Sequence, residues 1–291
     1  MKSEKDYLLI VNPISGSTDK SKIIETIRTF ASKASINLIT YTTSGEEDKL
    51  KIRSLFDSHL FERVIIAGGD GTTKMVVEAL EDKNTIFGIL PSGSANGLAK
   101  DLDLSNNIEE NLEISFHSDP IEIDIISING MKSLHLSDIG LNAKLIKNYE
   151  DSSIRGKLGY AIQTIKTLSQ NEGLFNASIE CNGRKIETET RVIIIANSQK
   201  YGTGVVINPE GIINDGKFEI VVFKNLDWLM VGKILIGNIP IENSNIEIIS
   251  TDKAIITTTI PVNFQMDGEY CGKISNLKIN ILPKRIKIAV P

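Results

Sequence analysis

The sequence contains few of the residues that form disulfides, metal clusters or catalytic triads. Two cysteines occur among 291 residues, Cys181 and Cys271, and they form neither a close-spaced pair nor a metal-ligand pattern. Isolated cysteines are typical of a reducing compartment. The three histidines, His59, His117 and His135, also lack the spacing of a triad or a ligand set. We therefore interpret these histidines as surface or packing residues.

Long hydrophobic runs and excess positive charge are also missing. No uninterrupted apolar stretch reaches the ~18 residues of a membrane-spanning helix. The N-terminal segment has only residues 8–11 as an apolar run, which is too short for the core of a signal peptide. A net charge of −5 gives no reason to expect nucleic-acid binding. We expect a cytoplasmic protein that contacts a membrane only from outside, as a peripheral protein.

The segment RVIIAGGDGT at residues 63–72 is the most informative stretch of the chain. A short β-branched run leads into the glycines, and apolar residues at helical spacing follow them, so the pattern predicts a strand–turn–helix unit. Glycines let a ligand approach the backbone closely, and a helix N-terminus offers unpaired N–H groups to an anion such as phosphate. Asp70 would repel a phosphate directly. It is therefore expected to act through a cation or on a hydroxyl group.

That segment does not match the commonest nucleotide motifs. Neither the Gly-Lys-Ser/Thr of a P-loop nor the G-x-G-x-x-G of a dinucleotide site is present. Taken alone, this segment fits an ordinary glycine-rich turn without a ligand as well as it fits a phosphate-binding site.

The first hundred residues repeat the same unit four times. Strands are predicted at 7–11, 36–41, 64–67 and 86–90, and helices at 20–34, from 46, after 72 and at 98–102. This order predicts a parallel, doubly wound sheet, in which ligands bind at the carboxyl ends of the strands. The unusual turns at 12–16, 42–43, 68–72 and 93–97 all fall at that edge. Their convergence predicts a nucleotide site.

The pattern changes after about residue 120. Short strands separated by Asn-Gly and Asp-Gly turns predict a mainly antiparallel β-sandwich. The predicted strands are 121–128, 133–138, 175–181, 185–196, 217–223, 246–249, 253–258, 262–266, 277–282 and 285–290, with helices at 155–168 and 227–236. We therefore expect a Rossmann-like α/β domain over 1–120 and a β-sandwich domain over 121–291. The last two strands are expected either to return to the first domain or to close onto it.

A family resemblance rests on five motifs in order, which are NPISG at 12–16, GGDGT at 68–72, LPSGSANGLA at 90–99, NDG at 214–216 and MDGE at 266–269. Together they resemble the soluble diacylglycerol kinase family, which includes sphingosine kinases and bacterial lipid kinases. GGDGT alone is shared with NAD kinases and phosphofructokinases. The resemblance implies a nucleotide-binding α/β domain followed by a β-sandwich, with the active site between them.

The resemblance also implies roles for individual residues. It implies that Glu269 is the general base for the lipid hydroxyl, with Asp267 beside it, and that Asp70 organises Mg²⁺ and the phosphates. It implies a structural Mg²⁺ site at Asp215 and the backbone carbonyls of Ile212 and Lys217, to which Asp124 connects. The residues implied to surround ATP are Asn12, Pro13, Ser15, Gly16, Thr43, Gly68, Gly69, Asp70, Gly71, Thr72, Gly93 and Ser94. An Asp-Gly pair is also an ordinary hairpin turn.

Two departures from the family pattern concern the surroundings of this site. Lys74 and Met75 stand where the family often has Asn-Glu, and Gly97 stands where Asp often follows the asparagine. The predicted function is ATP- and Mg²⁺-dependent phosphorylation of a lipid hydroxyl at a membrane surface, with diacylglycerol as the first candidate. The alternatives are a NAD or small-polyol kinase and a non-catalytic nucleotide- or lipid-binding regulator. The sequence leaves the oligomeric state open, and a homodimer is one of the alternatives.

Overall fold

A computed structural model describes residues 5–16, 20–94, 96–140, 173–201, 205–224 and 245–291. The helices expected at 155–168 and 227–236 lie outside these residues. The chain divides into two compact units, one formed by Met1–Ile123 with Lys284–Pro291 and the other by Asp124–Pro283. No helix in the described part combines the length and hydropathy needed to cross a bilayer.

The first unit contains the predicted parallel sheet. Its strands are β1 (Lys5–Val11), β2 (Ile36–Thr42), β3 (Phe61–Gly68) and β4 (Ile86–Pro91), in the order β2-β1-β3-β4. All of these pairs are parallel. The C-terminal residues return to this sheet, where Lys287 and Ile288 pair in parallel with β4. The run of buried apolar residues in β1 and β3 is typical of strands covered on both faces.

Five described helices accompany this sheet, namely α1 (Lys20–Lys33), α2 (Asp48–Asp57), α3 (Asp70–Leu80), α4 (Gly97–Asp101) and α5 (Ile108–His117). The first four were predicted, and α5 was missed. Asn107 caps α5 by accepting hydrogen bonds from the backbone N–H groups of Glu109 and Glu110. The helix is held by Phe116, which is buried against the rings of Tyr7 and Phe30.

The second unit is built from β-strands that pair antiparallel with one another, and its last strand continues into the first unit, where its final residues pair in parallel. Along them, alternate side chains enter one hydrophobic core. The strands are β5 (Pro120–Ile128), β6 (Met131–Ser133), β7 (Leu136–Ile139), β8 (Phe175–Cys181), β9 (Arg184–Thr190), β10 (Val192–Ala196), β11 (Lys200–Tyr201), β12 (Val205–Val206), β13 (Phe218–Phe223), β14 (Ile246–Thr251), β15 (Lys253–Met266) and β16 (Glu269–Ala289).

Several strand boundaries differ from the prediction. The strand expected at 133–138 is split into β6 and β7, because the N–H groups of Leu134 and His135 donate to the Asp267 carboxylate instead of a ladder. The strand expected at 185–196 breaks at Arg191. Residues 253–266 form one strand, since a register shift between Thr257 and Val262 absorbs the irregular stretch. The two final strands are likewise one, β16.

Candidate functional site

In the first unit, the turns that follow β1 and β3 are joined by side chains. The Asn12 amide Nδ2 donates to Thr72 Oγ1 at 2.9 Å, and its Oδ1 accepts from the Ile14 N–H at 3.1 Å. Thr72 is buried, with 6% of its surface exposed. This pair therefore fixes the NPISG turn against the first turn of α3.

Glycines let the turn after β4 approach the other two. Gly16 has a φ of 63°, and a Cβ there would lie 2.5 Å from the Ser92 carbonyl oxygen. A Cβ on Gly93 would lie 2.5 Å from the Cα of Gly69. Both contacts are shorter than any side chain tolerates, so the three turns pack backbone against backbone only because these positions are glycine.

The N-termini of α3 and α4 differ in how they are capped. Gly69 precedes α3 in an extended conformation, and no side chain in the described part of the chain caps that helix. The first N–H groups of α3 therefore remain available to an anion. The N-terminus of α4 is capped by Asp70, whose Oδ2 accepts from the Gly97 N–H at 2.8 Å and whose Oδ1 accepts from the Leu98 N–H at 3.2 Å.

The arrangement fits a phosphate group with a divalent cation. Each carboxylate oxygen of Asp70 holds one N–H and keeps a further lone-pair direction for a cation. Magnesium is commonly bound by one or two carboxylates together with substrate phosphates. The open N–H groups of α3 and the exposed backbone of the glycine turns supply the anion-binding part.

Lys20, the first residue of α1, was missed by the sequence analysis. Its side chain is buried, with 7% of the residue exposed, and Nζ donates to the Ser92 carbonyl at 2.7 Å. Ser15 Oγ approaches the same carbonyl at 3.5 Å. Burial lowers the pKa of Lys20 below its ordinary value. A lysine shortly after a glycine turn was the available signal, but lysines are mostly exposed, so sequence alone places it at the surface.

The remaining residues predicted for ATP contact lie at the same turns of the first unit. Thr43 donates its N–H to the Val11 carbonyl at 2.9 Å, which aligns the residues that follow β1 and β2. A Cβ at Gly68 would collide with the Thr72 side chain. Four of the predicted residues are exposed to solvent, namely Pro13, Gly16, Gly71 and Ser94.

In the second unit, Asp267 and Glu269 have different surroundings. Asp267 and Gly268 have φ values of 50° and 85° and form the two-residue turn between β15 and β16. The Asp267 carboxylate accepts from Ser133 Oγ at 2.8 Å and from the His135 N–H at 3.0 Å. Glu269 follows the turn and is exposed. Asp267 therefore holds the turn in place, while the Glu269 carboxylate faces solvent.

The Asp215 turn is connected to Asp124. Asp215 is exposed and accepts from the Lys217 N–H at 3.0 Å, as in an ordinary Asx turn. The fully buried Asp124 accepts from the Gly216 N–H at 2.7 Å and donates its own N–H to the Ile213 carbonyl at 2.9 Å. Among the described residues, no three His, Cys, Asp or Glu side chains are grouped as a metal site. A cation at Asp215 would therefore need backbone carbonyls, such as those of Ile212 and Lys217, and water.

Comparisons with known proteins agree along most of the chain. A model of the diacylglycerol kinase catalytic domain matches residues 6–128, and a model of the YegS C-terminal NAD kinase beta sandwich-like domain matches residues 137–290. A Staphylococcus carnosus protein named "Putative lipid kinase" is 26% identical over 78% of this chain and 76% of its own length. A Shewanella frigidimarina protein named "Probable lipid kinase YegS-like" is 26% identical over 79% of this chain and 76% of its own length.

Solved structures of similar proteins have the same fold as this chain. A Bacillus anthracis structure titled "A putative diacylglycerol kinase" superposes with a TM-score of 0.82 at 25% identity, covering 100% of this chain and 99% of the other. These matches confirm the predicted fold class, an α/β nucleotide-type domain followed by a β-sandwich. The chain therefore belongs to the family of lipid-kinase-like proteins that join a diacylglycerol kinase catalytic domain to a YegS-type C-terminal domain.

Proposed function

We propose that the protein transfers the γ-phosphate of ATP, in the presence of Mg²⁺, to a hydroxyl group of a lipid presented at a membrane surface. Diacylglycerol is the first candidate. The observation that carries the proposal is the uncapped N-terminus of α3 among glycine turns, with the Asp70 carboxylate fixed beside it. Phosphoryl transfer depends mainly on positioning and charge neutralisation, and this arrangement supplies groups for both.

The residues of the first unit would hold the nucleotide phosphates. The N–H groups at the start of α3 would donate to phosphate oxygens, and the Asn12–Thr72 bond would keep them in position. Asp70 would direct its remaining lone pairs toward the cation, since both of its oxygens are oriented by α4. Bound Mg²⁺ would supply neutralisation of the phosphate charge. Lys20 would stabilise the turn after β4 by donating a hydrogen bond to the Ser92 carbonyl.

Glu269 would accept the proton of the attacking hydroxyl. A general base needs a carboxylate that can reach its substrate, and Glu269 is exposed at the start of β16. Asp267 cannot readily serve as that base, because its oxygens already accept hydrogen bonds from residues 133–135. Its role would be to hold the turn that carries Glu269.

A thin-layer assay with labelled ATP tests the proposal. Purified protein with Mg²⁺ would be incubated with diacylglycerol, other lipid alcohols, NAD and small polyols, and Glu269→Gln would serve as the matched inactive control. We expect a labelled lipid product that disappears with the variant. ATP binding without transfer to any acceptor would contradict the proposal and favour a regulatory protein.

One observation favours a second candidate. The match to the C-terminal half is described as NAD kinase beta sandwich-like. A NAD kinase would phosphorylate a water-soluble acceptor, and its rate would not depend on detergent or a lipid surface. Labelled NADP in the same assay, with no labelled lipid, would establish this alternative.

A further inference from the structure

A basic face lies on the solvent side of the second unit. It surrounds an open cleft of about 540 Å³. We define the basic face by three lysines, Lys185, Lys253 and Lys278, which lie on β9, β15 and β16. Arg184 also lines the cleft, but it pairs with the buried Cys181 and therefore projects to the other side of the sheet.

Strand register places these three lysine side chains on one surface. Lys185 pairs with Glu180, Glu180 pairs with Ile255, and Ile255 pairs with Lys278. Residues opposite each other on neighbouring strands project to the same side of a sheet, so this row crosses four strands on one face. Lys253 lies two residues before Ile255 and therefore projects to the same side.

The opposite side of these strands forms the core of the second unit. The residues that alternate with the exposed row are buried, among them Cys181, Ala254 and Ile279. The register of the basic face is therefore fixed by hydrophobic packing, because a shift of one residue would bury the lysines.

The charge of this face is opposite to that of the whole protein. Among the described residues that line the cleft, Glu180 is the one carboxylate, in a chain of net charge −5. Lys185 is paired with Glu187 at 2.9 Å. Across the described ranges, no carboxylate forms an ion pair with Lys253 or Lys278. The face therefore offers unneutralised positive charge to an external anion.

The spacing of the cations indicates the shape of that anion. Neighbouring strands lie ~4.8 Å apart, so Lys185 and Lys278 are separated by roughly 14 Å across three spacings. The cations spread over a sheet face and do not converge on one point, as they would around a single phosphate. Ile255 lies between them with 40% of its surface exposed. A broad surface of many phosphates with apolar groups beneath matches both features.

We propose that the basic face docks the second unit onto a membrane that contains anionic phospholipids. Lysine suits this role, since its flexible stem carries a point charge to headgroups of variable position. Nucleic acid fits less well, because the lining residues that the structure describes include no aromatic ring on which a base could stack.

Vesicle sedimentation without ATP or acceptor tests this docking. Wild-type protein would be compared with Lys253→Glu/Lys278→Glu on phosphatidylcholine vesicles with and without phosphatidylglycerol. The control is Lys33→Glu/Lys273→Glu, which makes the same charge change at exposed lysines outside the cleft. Each basic residue near an anionic surface contributes about fivefold to partitioning. We expect at least a tenfold loss with the cleft variant, a control within about threefold of wild type, and weaker binding at high salt.

Three outcomes would overturn the docking proposal. They are equal losses in the two double variants, equal wild-type binding to neutral vesicles, and tighter binding to duplex or single-stranded DNA at matched phosphate concentration. Because all four mutated lysines are exposed, melting curves should match and exclude unfolding as the cause. The docking rests on no catalytic step, so failure of the kinase assay and failure of vesicle binding are separate results.

Discussion

The Asp70 carboxylate accepts a hydrogen bond from the Gly97 N–H at 2.8 Å, across 27 positions of sequence. Its second oxygen accepts from the next N–H of α4. The acidic residue of the GGDGT turn is thus held by a different turn, the one after β4. A side chain oriented in this way has few rotamers left, which is what a cation-positioning carboxylate requires.

Replacing Asp70 with Asn should separate its two roles. The amide keeps the size but has one acceptor oxygen, so α4 would lose part of its cap and the free energy of unfolding would fall by about 1–2 kcal/mol. Turnover should fall by roughly two orders of magnitude or more, because the side chain would no longer position the Mg²⁺ that neutralises the phosphate charge. Steady-state kinetics and thermal melts measure the two effects. A near wild-type rate would remove Asp70 from the mechanism.

Glu269→Gln and Asp267→Ala change two carboxylates at the same turn, and we expect opposite effects from them. Glu269 is exposed, so its variant should keep the wild-type melting temperature and lose at least about 100-fold in kcat. Asp267 accepts hydrogen bonds from Ser133, Leu134 and His135, so its removal should cost about 1–3 kcal/mol of stability. Equal melting curves for both variants would contradict the structural role given to Asp267.

Lys20→Met should change both nucleotide binding and the pH dependence of stability. Without the bond to Ser92, the turn after β4 loses a support, and KM for ATP should rise about fivefold. Burial lowers the pKa of Lys20 from 10.5, so the unfolded chain holds this proton more tightly than the folded protein. Wild-type stability should therefore increase relative to the variant as pH rises from neutral toward 10.5.

The control for Lys20 is Lys22→Met on the exposed side of α1. It removes the same charge without a buried partner. Denaturant titrations of the three proteins at pH 7 and pH 10 give the comparison. A stability difference between wild type and Lys20→Met that does not change with pH would show that Lys20 titrates normally.

Asp215→Ala tests the expected structural cation. If Mg²⁺ binds at this turn, the variant should melt at a lower temperature and lose any dependence of the melting temperature on added Mg²⁺. Without a cation, the change removes one Asx-turn bond to the Lys217 N–H, and metal has no effect on either protein. Identical melting curves with and without Mg²⁺ would return this turn to a purely structural role.

The proposed lipid substrate predicts interfacial kinetics. In mixed micelles, the rate should follow the surface concentration of the acceptor and not its bulk concentration, because long acyl chains stay in the micelle until the headgroup reacts. A water-soluble short-chain acceptor provides the comparison. Equal use of both acceptors at matched bulk concentration would contradict action at a lipid surface.

Local sequence patterns were sufficient for most of the secondary structure. The positions of β1 to β4 and α1 to α4 were predicted to within a few residues from β-branched runs, helical spacing and turn residues. These patterns depend only on residues that are close together in the sequence. Helix α5 was missed despite its local cap at Asn107, whereas strand boundaries failed where a distant group intervened. The strand expected at 133–138 is interrupted since the Asp267 carboxylate, more than 130 positions away, takes its N–H groups.

By itself, the sequence determined the order of the elements, the fold class and the turns that form the candidate site. Tertiary structure alone decided what each polar side chain contacts. Asp70 could have capped its own helix, and Lys20 could have been solvated, but packing of the three glycine turns placed Gly97 and Ser92 within reach. Hydrogen bonds between distant residues depend on how strands and helices stack, and that stacking is set by the whole buried core, beyond the range of any local pattern.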